Sequence, residues 1–143
     1  MKSTFIPSKS SVKKKWYLID AKEKCLGRLV TRVSNILRGK NKILFTPSQN
    51  IGDYIIIINA DKIKVTGKKF TRKIYFRHSG RPGGKRLENF QTLQDRLPEK
   101  IFETAIRGML PKNRLGRQLL TQVKIYRGAD HPHLSQNPTF LKL

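Results

Sequence analysis

Acidic residues are scarce in this chain: Asp and Glu number 9 among 143 residues, against 31 Lys and Arg. General acid–base catalysis needs two carboxylates in one cleft with separated pKa values, and nothing in the chain order brings such a pair forward. Asp20, Asp53 and Asp61 fall instead at strand edges, where turn formation or capping is the ordinary role. Cysteine is rarer still. The single Cys25 excludes an internal disulfide, and beside Leu26 it reads as a small buried residue, not a reactive thiol. No apolar run is long enough to span a bilayer, and no helix sets a wide apolar face against a Lys-rich one, so a membrane partner is not expected. Internal repeats and domain linkers are also missing, and the length suits one domain.

Positive charge is what the chain has in excess. The formal net charge is +22. A compact domain of this size repels itself strongly at such a charge, and a polyanion relieves the repulsion. Each phosphate neutralised by Lys or Arg also releases counterions, a large entropic gain.

The apolar residues are organised. Trp16–Ala21 is a short apolar run that reads as a buried strand. Leu26, Leu29, Val30, Val33 and Leu37 then recur at helical spacing, with Arg28, Arg32 and Arg38 elsewhere around the same helix and Gly39 placed to cap it. Tyr54–Asn59 is a continuous β-branched run, the pattern of a strand covered on both faces. Strand, helix and strand at this spacing form a βαβ unit with parallel strands. Lys62–Thr66 alternates and Arg72–Arg77 does so more loosely, which predicts a hairpin or a strand pair with one wet, basic face. Ser79–Arg86 is a Gly-rich basic loop. Leu87–Leu97 has helical spacing. A second helix follows from Pro98, with Ile101, Phe102, Ala105, Ile106 and Met109 as its stripe and Gly108 and Pro111 as its end. A short helix over Leu115–Leu120 and a last strand over Val123–Tyr126 complete the pattern. The class is α/β, with a small, mostly parallel or mixed sheet and helices on both faces. Residues 1–15 read as a basic N-terminal arm, 16–127 as the domain, and 128–143 as an irregular C-terminal tail.

Three motifs could carry chemistry. In the Gly-rich loop, Gly80, Gly84 and Lys85 come one residue short of a Walker A spacing, and Arg86 stands where a Mg²⁺-binding hydroxyl belongs. Pro82 removes a backbone donor that a phosphate cradle needs. The loop therefore reads as a place where backbone approaches RNA closely while Arg81, Lys85 and Arg86 meet phosphates. His131-Pro132-His133 suggests a metal site, but no further ligand joins at a familiar spacing, and Pro132 is expected to splay the two rings. Neither a metal nor a cofactor is expected. The basic residues are spread over one helix flank, Lys40 and Lys42, the hairpin, the Gly-rich loop, and Lys112 with Arg114 and Arg117. Such dispersal favours a large, irregularly folded nucleic acid over a duplex groove. An enzyme acting on a phosphorylated substrate and a DNA-compacting protein are the rival readings. Saturable nucleotide binding would mark the first, and equal affinity for duplex DNA and rRNA the second.

Several ordered motifs resemble one family. Trp16-Tyr17 through Asp20-Ala21, Leu26-Gly27-Arg28-Leu29, Gly52-Asp53-Tyr54 and Asn59-Ala60-Asp61-Lys62 open the match. Val65-Thr66-Gly67-Lys68, His78-Ser79-Gly80 with Gly83-Gly84, Gly108 through Lys112, Leu115-Gly116-Arg117, Lys124 with Tyr126, Gly128, His131-Pro132-His133 and Gln136 with Pro138 continue it. Over Trp16 to Pro138 the chain resembles the universal large-subunit ribosomal protein family thirteen, in its bacterial rather than archaeal or cytosolic eukaryotic branch. The resemblance implies a three-layer α/β/α sandwich docked on large-subunit rRNA, bound early in assembly beside neighbouring large-subunit ribosomal proteins. It implies no catalysis, no small-molecule substrate and no homo-oligomer. Ile-, Asn- and Lys-rich usage adds a plastid- or cyanobacterium-like cast, and hence a ribosome of the bacterial cytoplasm or the plastid stroma. The residues expected on the rRNA are Arg28, Arg32, Arg38, Lys40, Lys42, Arg77, His78, Arg81, Lys85, Arg86, Lys112, Arg114, Arg117, His131 and His133.

Overall fold

A computed structural model of the chain describes residues 6–8 and 12–142. Most of the expected arm, 1–15, lies outside the described residues. The chain forms one α/β domain. Its main sheet has four strands in the order β5-β2-β1-β6: β1 is Trp16–Asp20, β2 is Tyr54–Ile58, β5 is Val123–Ile125 and β6 is Thr139–Phe140. Every pairing in it is parallel. A separate two-stranded antiparallel sheet joins β3 (Ile74–His78) to β4 (Lys85–Asn89).

The expected βαβ unit is present. The crossover between β1 and β2 contains α1 (Leu26–Arg38), which buries Leu26, Leu29, Val30, Val33, Ile36 and Leu37 and ends at Gly39. In β2, Ile55, Ile56 and Ile57 are all fully buried, as a central strand requires. Each such side chain contributes roughly 1.5–3 kcal/mol of hydrophobic stabilisation. Alternation sends Ile55 and Ile57, with Tyr17 and Ile19 of β1, toward the helices, where they join one core cluster. Ile56, Leu18, Trp16 and Tyr54 point to the other face.

Strand order explains the layers. From β1 to β2 to β5 the sheet grows in one direction. Right-handed crossovers then place α1 on the same face as α4 (Pro98–Met109) and α5 (Arg114–Thr121), and α1 packs against both. The step from β5 to β6 runs back past β2 and β1, so the same rule sends that connection over the opposite face. There the segment after β5 forms a 3-10 turn at Leu134–Gln136 before β6 pairs with β1. Residues 128–143 thus add an element that the sequence did not signal. Two residues are too short for any periodicity, and what orders them is the open edge of β1, where the Leu141 N–H donates to the Leu18 carbonyl at 2.8 Å.

The region between β2 and α4 departs from expectation. Lys62–Thr66 does not pair with Arg72–Arg77. Lys64 instead forms a lone parallel bridge with Cys25, and α2 (Lys69–Arg72) intervenes. Cys25 is half-exposed there, not buried. The hairpin partner of β3 is β4, so Lys85–Asn89 is strand, although Leu87 was expected to open a helix. That helix, α3, begins at Phe90 and ends at Arg96. The helical apolar spacing runs back into β4 in the sequence, because a strand leading directly into a helix leaves no punctuating Gly or Pro. Gly108 does not end α4 either. The helix runs through it to Met109, and Pro111 follows the cap at Leu110.

Gly52 sits where the loop after α1 crosses the helix end. A Cβ there would overlap the Leu37 carbonyl, which belongs to backbone and cannot swing away. Gly52→Ala should therefore destabilise the fold by about 1–3 kcal/mol or more, read as a lower urea midpoint, with Gly27→Ala, whose Cβ would meet open space, as the matched control.

Candidate nucleic-acid interface

The expected contact residues do not converge on one spot. They occupy three regions. Arg28 and Arg32 are exposed one turn apart on α1, and Arg38 is half-buried near its end. The neighbouring α5 carries Arg114 and Arg117, with Lys112 just before it, all exposed. Asn113 caps α5, its Oδ1 accepting from the Gly116 N–H at 2.7 Å. Neither α1 nor α5 has an acidic residue in its first turn. Arg28 and Arg114 stand there instead, against the positive end of the helix dipole. Between the end of α4 and α5 lies a cavity of about 390 Å³ bordered by Arg107, Lys112 and Arg117. Arg107 was not anticipated. Its signal was its place on the polar flank of α4, beside the Lys112 segment once the helix is folded.

The β3–β4 hairpin forms the second region. Residues 79–84 make its turn, closed by Ser79 N–H to Gly84 O at 3.2 Å and Gly84 N–H to Arg81 O at 3.0 Å. Gly80 and Gly83 adopt φ of 87° and 71°, a left-handed backbone that favours glycine. The His78 Nδ1 accepts from the Gly80 N–H at 2.9 Å. Register places Arg77 directly opposite Arg86, and His78 opposite Lys85. The two guanidiniums, facing each other across the ladder, are destabilising unless an anion lies between them. All five of Arg77, His78, Arg81, Lys85 and Arg86 are exposed.

The third region is different in kind. His131 and His133 lie on the sheet face opposite the helices and are half-buried. The His133 ring packs 5.4 Å from Trp16, and its Nε2 is 2.7 Å from the Tyr126 hydroxyl. Trp16 in turn stacks on Tyr54 at 4.4 Å with an 11° interplanar angle, and Lys14 Nζ lies 5.5 Å over the Tyr54 ring. Pro132 does not splay the histidines. Their rings are nearly parallel, 6.5 Å apart. This column of rings holds the C-terminal segment onto the sheet. Among the described residues, no three His, Cys, Asp or Glu side chains gather closely enough to hold a metal ion.

Lys42 also has an internal role. Its Nζ is 2.6 Å from Asp53 Oδ1 and donates to the carbonyls of Ile51, at 3.0 Å, and Lys13, at 3.2 Å. Its donors are therefore engaged within the protein. Asp53 is buried and also accepts from the Lys15 N–H at 2.8 Å. Together they tie the approach to β1, the loop after α1 and the start of β2. Burial, then the charge of Lys42, lowers the pKa of Lys14 despite the opposing pull of Asp53. Lys40, two residues earlier, is exposed. Among the described residues, Lys42 is the one expected contact residue in an ion pair with a carboxylate.

The model of the family described as ribosomal protein L13 matches residues 14–132. The chain belongs to the ribosomal protein L13 family. It is 54% identical to the large ribosomal subunit protein uL13 of Prochlorococcus marinus strain MIT 9301, over 99% of each chain. It is 57% identical to that of Cyanothece sp. strain PCC 7425, over 100% of this chain and 96% of the relative. It is 53% identical to that of Synechococcus elongatus, over 100% of this chain and 95% of the relative. Membership in the L13 family makes this a ribosomal protein of the large subunit and not an enzyme. Its cyanobacterial relatives fit a bacterial or plastid origin. Among the described residues, no helix is long and apolar enough to cross a membrane.

Two outcomes follow for this L13 family member. Lys42→Met should lower stability by roughly 1–3 kcal/mol, read as a lower urea midpoint, because it leaves buried Asp53 without its cation. An unchanged midpoint would show that Asp53 does not depend on Lys42. Asp20 supplies a pH test. Burial alone would raise its carboxyl, but the Lys22 N–H, the Asn59 amide and the charges of Lys22 and Lys24 together hold it below the ordinary 3.8. A depressed folded-state pKa contributes stability that is complete above the ordinary value and lost as pH falls through the folded value. Urea unfolding of the wild type should weaken more than that of Asp20→Asn between about pH 5 and about pH 2.5.

Proposed function

We propose that this protein is a structural constituent of the large ribosomal subunit that binds rRNA through dispersed Lys and Arg contacts and helps the subunit assemble early. The observation that carries the reading is the hairpin tip, where Arg77 faces Arg86 and His78 faces Lys85 with no carboxylate between them. A fold tolerates such a ladder when an anion bridges it, and a phosphate backbone is a continuous supply of anions. The Arg residues in the first turns of α1 and α5 support the same reading, since a phosphate there would meet both the side chain and the helix N-terminus. Arg28, Arg32, Arg38 and Lys40 form one set of contacts. Arg77, His78, Arg81, Lys85 and Arg86 form a second, and Lys112, Arg114 and Arg117 a third. His131 and His133 act near the RNA mainly by holding the C-terminal segment in place. The protein acts as a single copy beside neighbouring large-subunit proteins. Its amino-acid usage favours a plastid ribosome over a bacterial one.

Because the cations are dispersed over the flanks of α1 and α5 and over the hairpin, the RNA is recognised by shape and phosphate placement more than by base sequence. Binding to a large-subunit rRNA fragment should fall steeply with salt. Each neutralised phosphate contributes about 0.7–0.9 to the log–log slope, so replacing Arg81, Lys85 and Arg86 together by Ala should lower the slope by roughly two to three. A slope that is shallow in the wild type, or unmoved in the triple variant, would overturn the phosphate-contact account. Co-migration with the large subunit through a sucrose gradient after a high-salt wash tests the assignment as a whole.

A further inference from the structure

The hairpin has two unlike faces. Alternation turns Tyr75 and Glu88 inward, where the Tyr75 ring lies 6.4 Å from buried Phe90. The other face carries Ile74, Phe76 and Leu87, which are 57%, 64% and 55% exposed. Phe76 and Leu87 are paired directly across the ladder, and Ile74 follows two residues along on the same side. An apolar patch of this kind, on a chain of net charge +22, marks a surface that something covers.

The surroundings of the patch say what covers it. Lys85 Nζ lies 5.9 Å over the Phe76 ring, and the His78 ring stands nearly parallel to it with centroids 6.3 Å apart. Glu88 is the one carboxylate between Ile74 and Asn89. It lies on the opposite face, where the Arg96 guanidinium reaches both its oxygens at 2.7 and 2.6 Å. The patch is therefore aromatic and aliphatic at its centre, cationic at its rim and free of acidic groups. An unpaired stretch of RNA has the complementary make-up, with flat bases to stack and a phosphate at every residue. A duplex hides its base faces. A protein segment would need both an apolar surface and an acidic border.

We propose that the Ile74–Phe76–Leu87 face is a stacking platform for unpaired RNA bases, with Phe76 as the stacking ring and Lys85 and His78 holding the adjoining phosphates. The proposal rests on the RNA-binding reading above and adds a ligand class to it, single-stranded RNA with exposed bases.

The test compares the full-length protein with Phe76→Ala and Phe76→Leu. The probes are a single-stranded RNA dodecamer carrying a central 2-aminopurine and an RNA duplex of equal length. Both variants should unfold like the wild type, since Phe76 is exposed. Phe76→Ala should weaken single-strand binding by roughly 5- to 150-fold and abolish the quenching of 2-aminopurine, with duplex affinity and salt slope unchanged. Phe76→Leu, which keeps the apolar bulk without the ring, should also lose the quenching, and Phe76→Tyr should retain it. Equal weakening toward both RNAs, or single-strand binding by Phe76→Leu with undiminished quenching, would overturn the platform. So would unchanged RNA affinity in Phe76→Ala combined with its failure to enter large subunits, which would place a protein on this face. Failure of the wild type to bind either RNA with a steep salt dependence would instead overturn the RNA-binding reading itself.

Discussion

The burial of β2 on both faces is the constraint from which the rest of the domain follows. Ile55, Ile56 and Ile57 are consecutive and fully buried, so one face of the sheet cannot be left to solvent. The first face is met by α1, α4 and α5, whose apolar stripes join Ile55 and Ile57 in one cluster. The second requires a further layer, and the chain supplies it by doubling back after β5. The column of Tyr54, Trp16 and His133 rings, finished by the Tyr126 hydroxyl, fastens that layer down. His133, which the sequence placed on the rRNA, is thereby drawn into the packing.

Charge is arranged around this core so that little of it is neutralised internally. Asp53 takes Lys42, Glu88 takes Arg96 and Glu103 takes Lys100. The first of these pairs, with its buried carboxylate, ties three segments together, whereas the other two are solvated and of slight energetic weight. Cations on α1, α5 and the hairpin tip remain facing outward. A domain built this way stores repulsion in its folded state, which a bound polyanion would relieve. Charge and fold are coupled through the same few elements, because the hairpin and helices that display the cations also bury Phe90, Leu93 and Val33.

Much of this was legible in the sequence. Continuous and helical periodicities located β1, α1, β2 and α4, and their spacing implied a parallel pairing. The ordered motifs pointed to the family. The misreadings cluster where local signals are weakest. Lys62–Thr66 and Arg72–Arg77 both alternate, and alternation does not name a partner. Leu87 fits either a strand or a helix until the antiparallel ladder is formed. Lys42 and Arg86 look alike as basic residues, yet one is enclosed by Asp53 and two carbonyls while the other faces outward.

What the sequence determined by itself was the class of the protein: an α/β domain with one apolar core and a large excess of positive charge, +22 in formal net charge. These are properties of composition and short-range order, which survive whatever the chain does at a distance. The tertiary structure alone decided which cations remain free, which histidines are packed, where β6 closes the sheet, and that Ile74, Phe76 and Leu87 share one uncovered face. Each of those depends on contacts between residues far apart in the chain, and pairing across such distances is set by the geometry of the folded layers, not by any local pattern.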